Sequence, residues 1–284
     1  MNYTKDRVIA GIVTYNPDIE RLKNNINAIV GQVNEIIIVD NGSFNVADIC
    51  NLLTDKINII RWKKNKGIAA ALKAIMDYSI KRGYQWALSI DQDSVVQNGL
   101  IDAYLECANS REYVNTGLFT CLIKDRNFED KKHEYQNDKV VKVDACITSA
   151  AFCNVDKYKS IAGYDESFFI DCVDFDICYQ LRDAGYDICR INYTGLLHEV
   201  GHGENRRFLF WKIVVYHHHA KRVFTISRNM ILLWKKHPKI FGLHRLIKKE
   251  LALFARIVLY EDEKRAKLCA FIKGIQSGKR KKCS

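Results

Sequence analysis

The sequence predicts an α/β fold with a mostly parallel sheet, followed by a basic helical extension. Apolar runs of strand length recur between helix-like stretches, and most of these runs are continuous rather than alternating. Continuous apolar strands are typical of a parallel sheet that helices cover on both faces. The charge is divided as well: residues 206–284 hold 21 Lys and Arg against 4 Asp and Glu, a net +17, whereas residues 1–205 carry −6. We therefore expect a sheet domain over 1–205 and an extension over 206–284.

The first half of the chain supplies four strands and the helices between them. The predicted strands are RVIAGIVTYN, NEIIIVDNGS, INIIRWKK and QWALSIDQD. Between the first two, Leu22, Ile26, Ile29 and Val30 fall near one helix face. The stretch GIAAALKAIMDYSIKRGY is rich in alanine and reaches Gly83, which predicts a helix that ends there.

Polar residues end three of these strands. Asn16, Asp40 and Asp91 each follow an apolar run. Parallel strands bring their carboxyl ends to one edge of the sheet, which is where ligands bind in such folds. The sequence therefore predicts a ligand site at this edge.

The second half continues the alternation before its character changes. A helix (GLIDAYLECAN) and a strand (NTGLFTCLI) precede a polar surface loop or hairpin tip, KDRNFEDKKHEYQNDK. A strand pair and a short helix are predicted in VVKVDACITSAAFCNVDKYKSIAGY. Ile177, Leu181 and Ala184 then mark a helix face that ends at Gly185. From Arg206 onward we expect helices only.

The basic extension has two interpretations. Neither of its helical stretches holds about 18 uninterrupted apolar residues, so we expect no membrane-spanning helix. Amphipathic helices on an anionic bilayer, with Trp211, Tyr216 and Trp234 as anchors, are one possibility. Helices that pack on the first domain and leave their lysines solvated are the other. The histidine triplet in YHHH is predicted to lie on a helix, where neighbours step by about 100° and cannot all face one ion, so we expect no metal site there.

The ten cysteines predict neither disulfides nor a zinc site. Their spacing is irregular, there is no C-x-x-C pair and no secretory signal is visible. Most of them lie within apolar runs, which is typical of reduced, buried cysteines in a cytosolic protein.

The D-x-D stretch LSIDQDSV predicts a metal and phosphate site, although D-x-D alone is a weak signal. Asp91 and Asp93 follow a buried strand. If the chain turns at Gln92, both carboxylates can reach one ligand, and Mg²⁺ or Mn²⁺ prefers one or two carboxylates with phosphate oxygens. The simpler alternative is the polar end of a strand.

Two further groups of polar residues are candidates. Asp171, Asp174 and Asp176 fall within six residues, where they repel each other unless a cation or proton is shared. The alternative is that Asp174 caps a helix and Asp176 favours its positive end. His198 and His202, in LLHEVGHG, are candidates for a third metal ligand, with His198 favoured; a lone histidine is otherwise more often a core residue.

Taken together these motifs resemble a known family. VTYN, IIIVDNGS, NKGIAAALKAI, WALSIDQD and GYDESFFIDCVDFDICYQLRDAGYDI, in this order over residues 7–203, are similar to the family-2 inverting glycosyltransferases with a GT-A fold. FFID-VD, LLHEVGH and KRVFTISRN look most like the rhamnosyltransferase branch, which builds bacterial surface polysaccharides such as O-antigen and capsule.

The resemblance implies a role for each matching residue. Residues implied at the nucleotide are Thr14, Tyr15, Asp40, Asn65, Lys66, Gly67 and Asp91. Asp93 would bind the metal, completed by His198, and Asp174 would be the general base. Val173 stands where the family pattern has Glu, which leaves open whether Asp171 or Asp174 is the base.

Arg228 carries a role that the resemblance leaves undecided. Together with Arg222 and Asn229 it matches the family pattern R-x(5)-R-N, which implies contacts with phosphates of donor or acceptor. The alternative is a helix that packs on the domain with its arginines exposed.

The implied function is a metal-dependent glycosyl transfer that uses Mn²⁺ or Mg²⁺. The donor would be dTDP-rhamnose or a UDP-hexose, and the acceptor a lipid-linked saccharide at the inner membrane face of a bacterium. A nucleotidyltransferase needs a glycine-rich phosphate loop near the first strand, and Pro17 with acidic residues stands there instead. A nucleic-acid-binding module would leave the aspartates unexplained, so we expect no nucleic acid partner.

Overall fold

The computed structural model describes residues 2–125, 138–198, 204–208 and 211–281. The chain forms two compact units. One, the sheet unit, comprises Met1–Phe169 and Val173–Glu199. The other, the helical unit, comprises Ile170–Cys172 and Val200–Ser284.

The sheet unit alternates strands and helices in the order that the sequence predicts. Its strands are β1 Val8–Thr14, β2 Glu35–Asp40, β3 Ile57–Arg61, β4 Trp86–Asp91, β5 Val95–Val96, β6 Thr116–Asp125, β7 Val140–Lys142, β8 Ala151–Asn154 and β9 Asp187–His198. Its helices are α1 Ile19–Ile29, α2 Val46–Cys50, α3 Ile68–Arg82, α4 Leu100–Asn109, α5 Val155–Lys159 and α6 Val173–Asp183. Most of the predicted polar loop after β6 lies outside the described residues.

The sheet is parallel in its first half and mixed in its second. The strand order is β3-β2-β1-β4-β8-β6-β9-β5, with β7 paired to β9. Strands β3, β2, β1 and β4 are mutually parallel, and β6 is parallel to β9. β8 runs antiparallel to both β4 and β6. The two strands β7 and β8, which the sequence predicts as a pair, therefore pair with other strands. The α/β fold is confirmed.

The register aligns the strand ends that the sequence singles out. Thr14 of β1 pairs with Asp40 of β2, and Val13 pairs with Asp91 of β4. All seven residues of β1 and all six of β2 are buried. Polar groups at these ends therefore meet at one edge of the sheet, beside strands that are fully buried.

Aromatic stacking fixes the centre of the sheet unit. The rings of Trp86 and Phe152 stack with centroids 4.7 Å apart, and those of Phe152 and Tyr104 with centroids 4.9 Å apart. The buried hydroxyl of Tyr104 donates to the Ala150 carbonyl at 2.7 Å. This stack joins β4, β8 and α4, so that the antiparallel β8 is held against the parallel half.

α3 lies close to the sheet because small residues face it. A Cβ on Gly11 of β1 would stand 2.3 Å from Cγ2 of Ile75, so only glycine permits this approach. The helix ends as predicted at Gly83, whose φ is 75°. In α6, Ile177 and Leu181 are buried as predicted, whereas Ala184 lies in the turn after the helix and is exposed.

A buried carboxylate at the opposite end of the sheet has a structural role. Burial raises the pKa of Glu35, but hydrogen bonds from Tyr78, Tyr84 and Asn58 and the charge of Arg82 lower it more, so the net shift is downward. The ionised carboxylate therefore ties β2 to β3 and to the end of α3.

The helical unit begins with strands, which corrects the prediction of helices from Arg206. β10 Glu204–Phe208 and β11 Trp211–Val215 form an antiparallel pair. This run is rich in aromatic and β-branched residues, which favour a strand. It is too short for its apolar pattern to distinguish the period of a helix from that of a strand. His217 and His218 precede the helix Ala220–Lys236 and His219 is its N-cap, so the predicted helical placement of the histidine triplet is wrong.

Three helices complete this unit: α7 Ala220–Lys236, α8 Leu243–Tyr260 and α9 Lys264–Arg280. α9 packs closely against α7 at Gly274 and Gly278, which have no Cβ. A Cβ on Gly274 would stand 2.5 Å from the Phe224 carbonyl oxygen, and one on Gly278 would stand 2.8 Å from the Arg228 carbonyl oxygen. Among the described residues no helix is long and apolar enough to cross a bilayer.

A buried acid lies within these three helices. Glu250 of α8 is 8% exposed, and neither of its carboxylate oxygens has a hydrogen-bond partner among the described residues. Burial raises the pKa of Glu250 to about 7, against a smaller lowering by the nearby Ser227 hydroxyl, whose geometry falls short of a hydrogen bond. The folded state therefore favours the neutral carboxyl.

Glu250→Gln is expected to remove a pH dependence of stability. The raised pKa means that the stabilising proton is fully held below about pH 4.5 and lost as the pH rises through about 7. The variant should therefore exceed the wild-type free energy of unfolding at about pH 8 by about 1–3 kcal/mol, with little difference at about pH 5. Urea unfolding followed by circular dichroism measures this. Glu263→Gln, at an exposed acid of the same unit, is the control, and equal pH profiles for wild type and Glu250→Gln would contradict the expectation.

Candidate functional site

The end of β1 is fastened to the end of β2 by one buried carboxylate. Asp40 is fully buried, and its Oδ1 accepts hydrogen bonds from the hydroxyls of Thr14, at 3.1 Å, and of Ser43. Its Oδ2 accepts from the backbone N–H groups of Ser43, at 3.1 Å, and of Gly42, at 3.3 Å. Both oxygens are thus used within the protein, and the carboxylate shapes the loop after β2.

Asn41 joins this loop to the segment before α3, and the sequence analysis did not identify it as a site residue. Its Oδ1 accepts from the Lys66 N–H at 2.7 Å, and its Nδ2 donates to the Gly67 carbonyl at 3.2 Å. Gly42 permits the approach, since its φ is 87° and a Cβ would meet the Lys64 backbone at 2.8 Å. The signal available in the sequence was a second polar residue directly after the strand-ending aspartate.

The segment Asn65–Gly67 forms a tight entry into α3. The Gly67 N–H donates to Asn65 Oδ1 at 2.8 Å, and the Lys66 ammonium lies 4.3 Å from the centroid of the Trp62 ring. The Phe169 carbonyl accepts from the Ile68 N–H at 2.6 Å and so occupies one donor of the helix start. The exposed Lys66 is the cation that this segment offers to a ligand.

Gln92, the central residue of the D-x-D stretch, fastens the end of β4 to the end of β1. Its Oε1 accepts from the Tyr15 N–H at 2.8 Å, and its Nε2 donates to the Tyr15 carbonyl at 3.4 Å. This two-way pairing continues the contact between the strands after their ladder has ended.

The chain turns sharply at Gln92 and Asp93. The Ser94 N–H donates to the Asp91 carbonyl at 3.1 Å, and Asn25 Nδ2 donates to the same carbonyl at 2.7 Å. The turn is the condition under which both carboxylates can reach one ligand. The side chains of Asp91 and Asp93 are each half-buried.

Asp93 presents a half-buried carboxylate at this turn. No described residue forms a hydrogen bond or ion pair with its carboxylate. Because Val95 of β5 pairs with Leu197 of β9, the backbone of His198 lies at the same end of β5 as Asp93. The side chain of His198 and the whole of His202 lie outside what the structure describes, as do all contacts they make.

These donors fit a divalent cation. Carboxylate oxygens suit Mg²⁺ and Mn²⁺. Within residues 2–125, 138–198, 204–208 and 211–281, no group of three or more His, Cys, Asp or Glu side chains is arranged to hold a metal.

The aspartates of α6 separate by environment. Asp176 is buried, and its Oδ2 accepts from Gln180 Nε2 at 2.7 Å, which gives it a structural partner one turn away. Asp174 lies in the first turn after Val173 and is not the residue before the helix. Its Oδ1 accepts from the Phe175 N–H at 2.9 Å, and the side chain is only half-buried.

Asp171 belongs to the helical unit, where an arginine holds it. Arg222 Nη2 contacts Asp171 Oδ1 at 3.1 Å. Asn229 Nδ2 donates to the carbonyls of Ile170, at 2.6 Å, and of Asp171, at 3.0 Å. Arg228 Nε donates to Asn229 Oδ1 at 2.9 Å, which orients the amide. The R-x(5)-R-N residues therefore fix the backbone and carboxylate of this short segment.

The structure thus brings one group of the predicted residues together in the sheet unit. Asp40 contacts Thr14, Asn41 links their loop to Lys66 and Gly67, and Gln92 joins Tyr15 to the turn of Asp91 and Asp93. Asp171 and Arg228 form a second group in the helical unit.

A mixed sheet whose parallel half ends in polar groups beside a D-x-D turn defines the GT-A class of nucleotide-sugar transferases. Residues 10–159 match the family model of glycosyl transferase family 2, and the chain belongs to this family. It is 24% identical over 259 residues to the dTDP-rhamnosyl transferase RfbF of Shigella flexneri, with 84% of each chain covered.

Solved structures share the fold. GalNAc-T7 with UDP, GalNAc and Mn²⁺ superposes with a TM-score of 0.64 at 11% identity, over 95% of this chain and 56% of that one. S. aureus TarS 1–349 superposes with a TM-score of 0.57 at 13% identity, over 94% of this chain and 80% of that one. The same TarS fragment in complex with UDP-GlcNAc gives 0.56 at 11% identity, over 94% and 81% of the two chains.

Gly67→Ala is expected to destabilise the sheet unit by about 3 kcal/mol. Gly67 has φ 93° and ψ 163°, a conformation that side chains rarely adopt, and a Cβ would stand 2.5 Å from the Phe169 carbonyl oxygen. Urea unfolding measures the loss. Gly83→Ala is the matched control: its φ is also positive, but its Cβ would meet nothing within 4 Å, so about 1 kcal/mol is expected. Equal losses at the two positions would show that the close contact with Phe169 is unimportant.

Proposed function

We propose that this glycosyltransferase moves L-rhamnose from dTDP-rhamnose to a hydroxyl of a lipid-linked saccharide during bacterial surface polysaccharide synthesis, O-antigen or capsule. The observation that carries the proposal is the turn of Asp91 and Asp93 beside the fastened ends of β1 and β2, in a chain similar to a dTDP-rhamnosyl transferase over 84% of its length. The enzyme would act in the cytoplasm as a peripheral protein of the inner membrane face.

The nucleotide would lie across the ends of β1, β2 and β4. Tyr15 is 47% exposed and lies next to Thr14, so its ring is available to a nucleoside. Asp40 would support this pocket from within the protein, because its carboxylate is buried and both oxygens are engaged. Lys66, presented by Asn65 and Gly67, would face the negative diphosphate, and Asp91 the ribose.

Asp93, with His198, would hold the divalent cation. The carboxylate of Asp93 lacks a partner among the described residues and stands on a turn that Gln92 fixes. A bound Mn²⁺ or Mg²⁺ supplies positive charge that offsets the charge developing on the leaving nucleoside diphosphate. Gln92 contributes by holding the turn in place before any ligand arrives.

Asp174 would take the proton from the acceptor hydroxyl. Inverting transfer is a direct displacement at the anomeric carbon, so one carboxylate within hydrogen-bond reach of the nucleophile suffices. Asp171 is the weaker candidate, because its carboxylate is ion-paired with Arg222 at 3.1 Å and its other oxygen is buried. We therefore assign Asp171, Arg222, Arg228 and Asn229 to positioning the segment that precedes α6.

A UDP-hexose donor is the alternative within the same reaction class. Uridine and thymidine diphosphates present the same phosphates to Lys66 and to the D-x-D turn, so these contacts do not distinguish them. A donor panel that includes dTDP-rhamnose and UDP-sugars, assayed by release of nucleoside diphosphate, separates the two. Turnover with UDP-sugars and none with dTDP-rhamnose would overturn the rhamnosyl assignment and leave the transferase assignment intact.

Asp174→Asn is expected to lower kcat about 10²–10⁴-fold while donor affinity changes little. The amide keeps the shape of the carboxylate but does not accept the proton. Rates of sugar transfer and binding of the nucleoside diphosphate by calorimetry measure the two effects. Asp183→Asn, in the last turn of the same helix, is the control and should keep full activity. A fully active Asp174→Asn enzyme would eliminate this residue as the base.

Removal of divalent cations is expected to abolish transfer, and Mn²⁺ or Mg²⁺ should restore it. Asp93→Asn should weaken metal-dependent binding of the nucleoside diphosphate, because it removes one negative ligand. Calorimetric titration of the diphosphate with and without Mn²⁺ measures this independently of turnover. Asp102→Asn, at an exposed acid of α4 that pairs with Lys5, is the matched control. If the wild type bound the nucleoside diphosphate equally well with and without Mn²⁺, the proposed metal dependence would be wrong.

A further inference from the structure

An exposed apolar stripe runs along α8 of the helical unit. Its five residues follow the spacing of one helix face and are between 38% and 61% exposed: Leu243, Ile247, Leu251, Phe254 and Val258. At about 100° per residue they span about 80° of the helix surface. We call this set the α8 stripe.

The α8 stripe is distinct from the face that packs inside the unit. Leu246, Leu253 and Ile257 are the apolar residues of α8 that are buried, together with Glu250. Beside them the stripe borders an open groove of 480 Å³ whose other wall includes Phe271 and Ile275 of α9. The apolar surface therefore continues from α8 across to α9.

The charges around the stripe are almost all positive. Of the four acids within residues 206–284, Glu250 is buried without a partner, and Glu261 is buried and paired with Lys267 at 2.6 Å. The exposed acids are Asp262 and Glu263, between α8 and α9. The exposed basic residues of these two helices are Arg245, Lys248, Lys249, Lys264, Arg265, Lys273, Lys279 and Arg280.

This combination selects among the possible occupants of the stripe. A second copy of the chain would bring two strongly basic surfaces together, which repel each other. An anionic lipid surface attracts the same cations and accepts the apolar side chains between them. We infer that the α8 stripe, with its basic border, is the face by which this protein lies on an anionic membrane.

The inference deepens the proposed function, because it rests on the membrane location given there and names the surface responsible. Its test measures lipid binding and not sugar transfer, so the two can fail separately. A protein that binds vesicles through α8 but transfers no sugar would contradict only the enzymatic proposal.

The experiment uses the full chain and vesicles of phosphatidylcholine, with or without about 30% phosphatidylglycerol, in co-sedimentation. Wild type should bind the anionic vesicles at least about tenfold more strongly than the neutral ones, with weaker binding at high salt. Leu251→Ser with Phe254→Ser should lower binding about tenfold or more. Leu259→Ser removes a similar apolar surface outside the stripe and should bind as wild type does.

A charge variant tests the border separately. Lys248→Gln with Lys279→Gln should reduce the preference for anionic over neutral vesicles several-fold. Circular dichroism and thermal unfolding confirm that each variant is folded. The inference would be overturned if the wild type bound anionic vesicles no better than neutral ones, or if the stripe variant bound anionic vesicles as strongly as the wild type. A stripe variant that converts a dimer into a monomer by light scattering, with vesicle binding unchanged, would assign the face to self-association instead.

Discussion

The buried carboxylate of Asp40 is the interaction on which the candidate site depends. A charge that is fully withdrawn from water must be matched by hydrogen bonds, and here Thr14, Ser43 and Gly42 provide them. Satisfying this one group fixes the end of β1, the end of β2 and the loop that follows. Asn41 then extends the same fixation to the start of α3. The edge of the sheet is consequently arranged before any ligand is bound, which is what precise binding of a nucleotide sugar requires.

The D-x-D stretch is a weak sequence signal whose local structure depends on its central residue. Asp91 and Asp93 are the candidate ligands, and Gln92 between them holds the turn by hydrogen bonds to the N–H and the carbonyl of Tyr15. This pairing leaves Asp93 at the turn without a partner among the described residues. Glu35, by contrast with Asp93, is surrounded by tyrosine, asparagine and arginine side chains at the opposite end of the sheet. We therefore assign it a structural role.

The basic residues of the helical unit differ in their surroundings, which the net charge of the segment does not show. Arg222 and Arg228 are engaged with Asp171 and Asn229, so these two cations serve positioning within the unit. The lysines and arginines along α8 and α9 are exposed beside an apolar stripe. The basic residues of this unit therefore lie in two environments, one engaged with Asp171 and Asn229 and the other exposed beside the α8 stripe.

The α/β class, the first four strands and the helix that ends at Gly83 could be predicted from the sequence alone, because continuous apolar runs and glycine stops are local properties. The residues at the strand ends could be predicted too, since parallel strands bring them to one edge. Long-range contacts were needed to show that β8 runs antiparallel, that residues 204–208 and 211–215 form a strand pair, and that Asp171 is ion-paired with Arg222. Asn41 and Gln92 were likewise recognised only from their contacts. These features depend on contacts between residues that are distant in the chain. The pattern of a short segment does not show which distant residues it will contact.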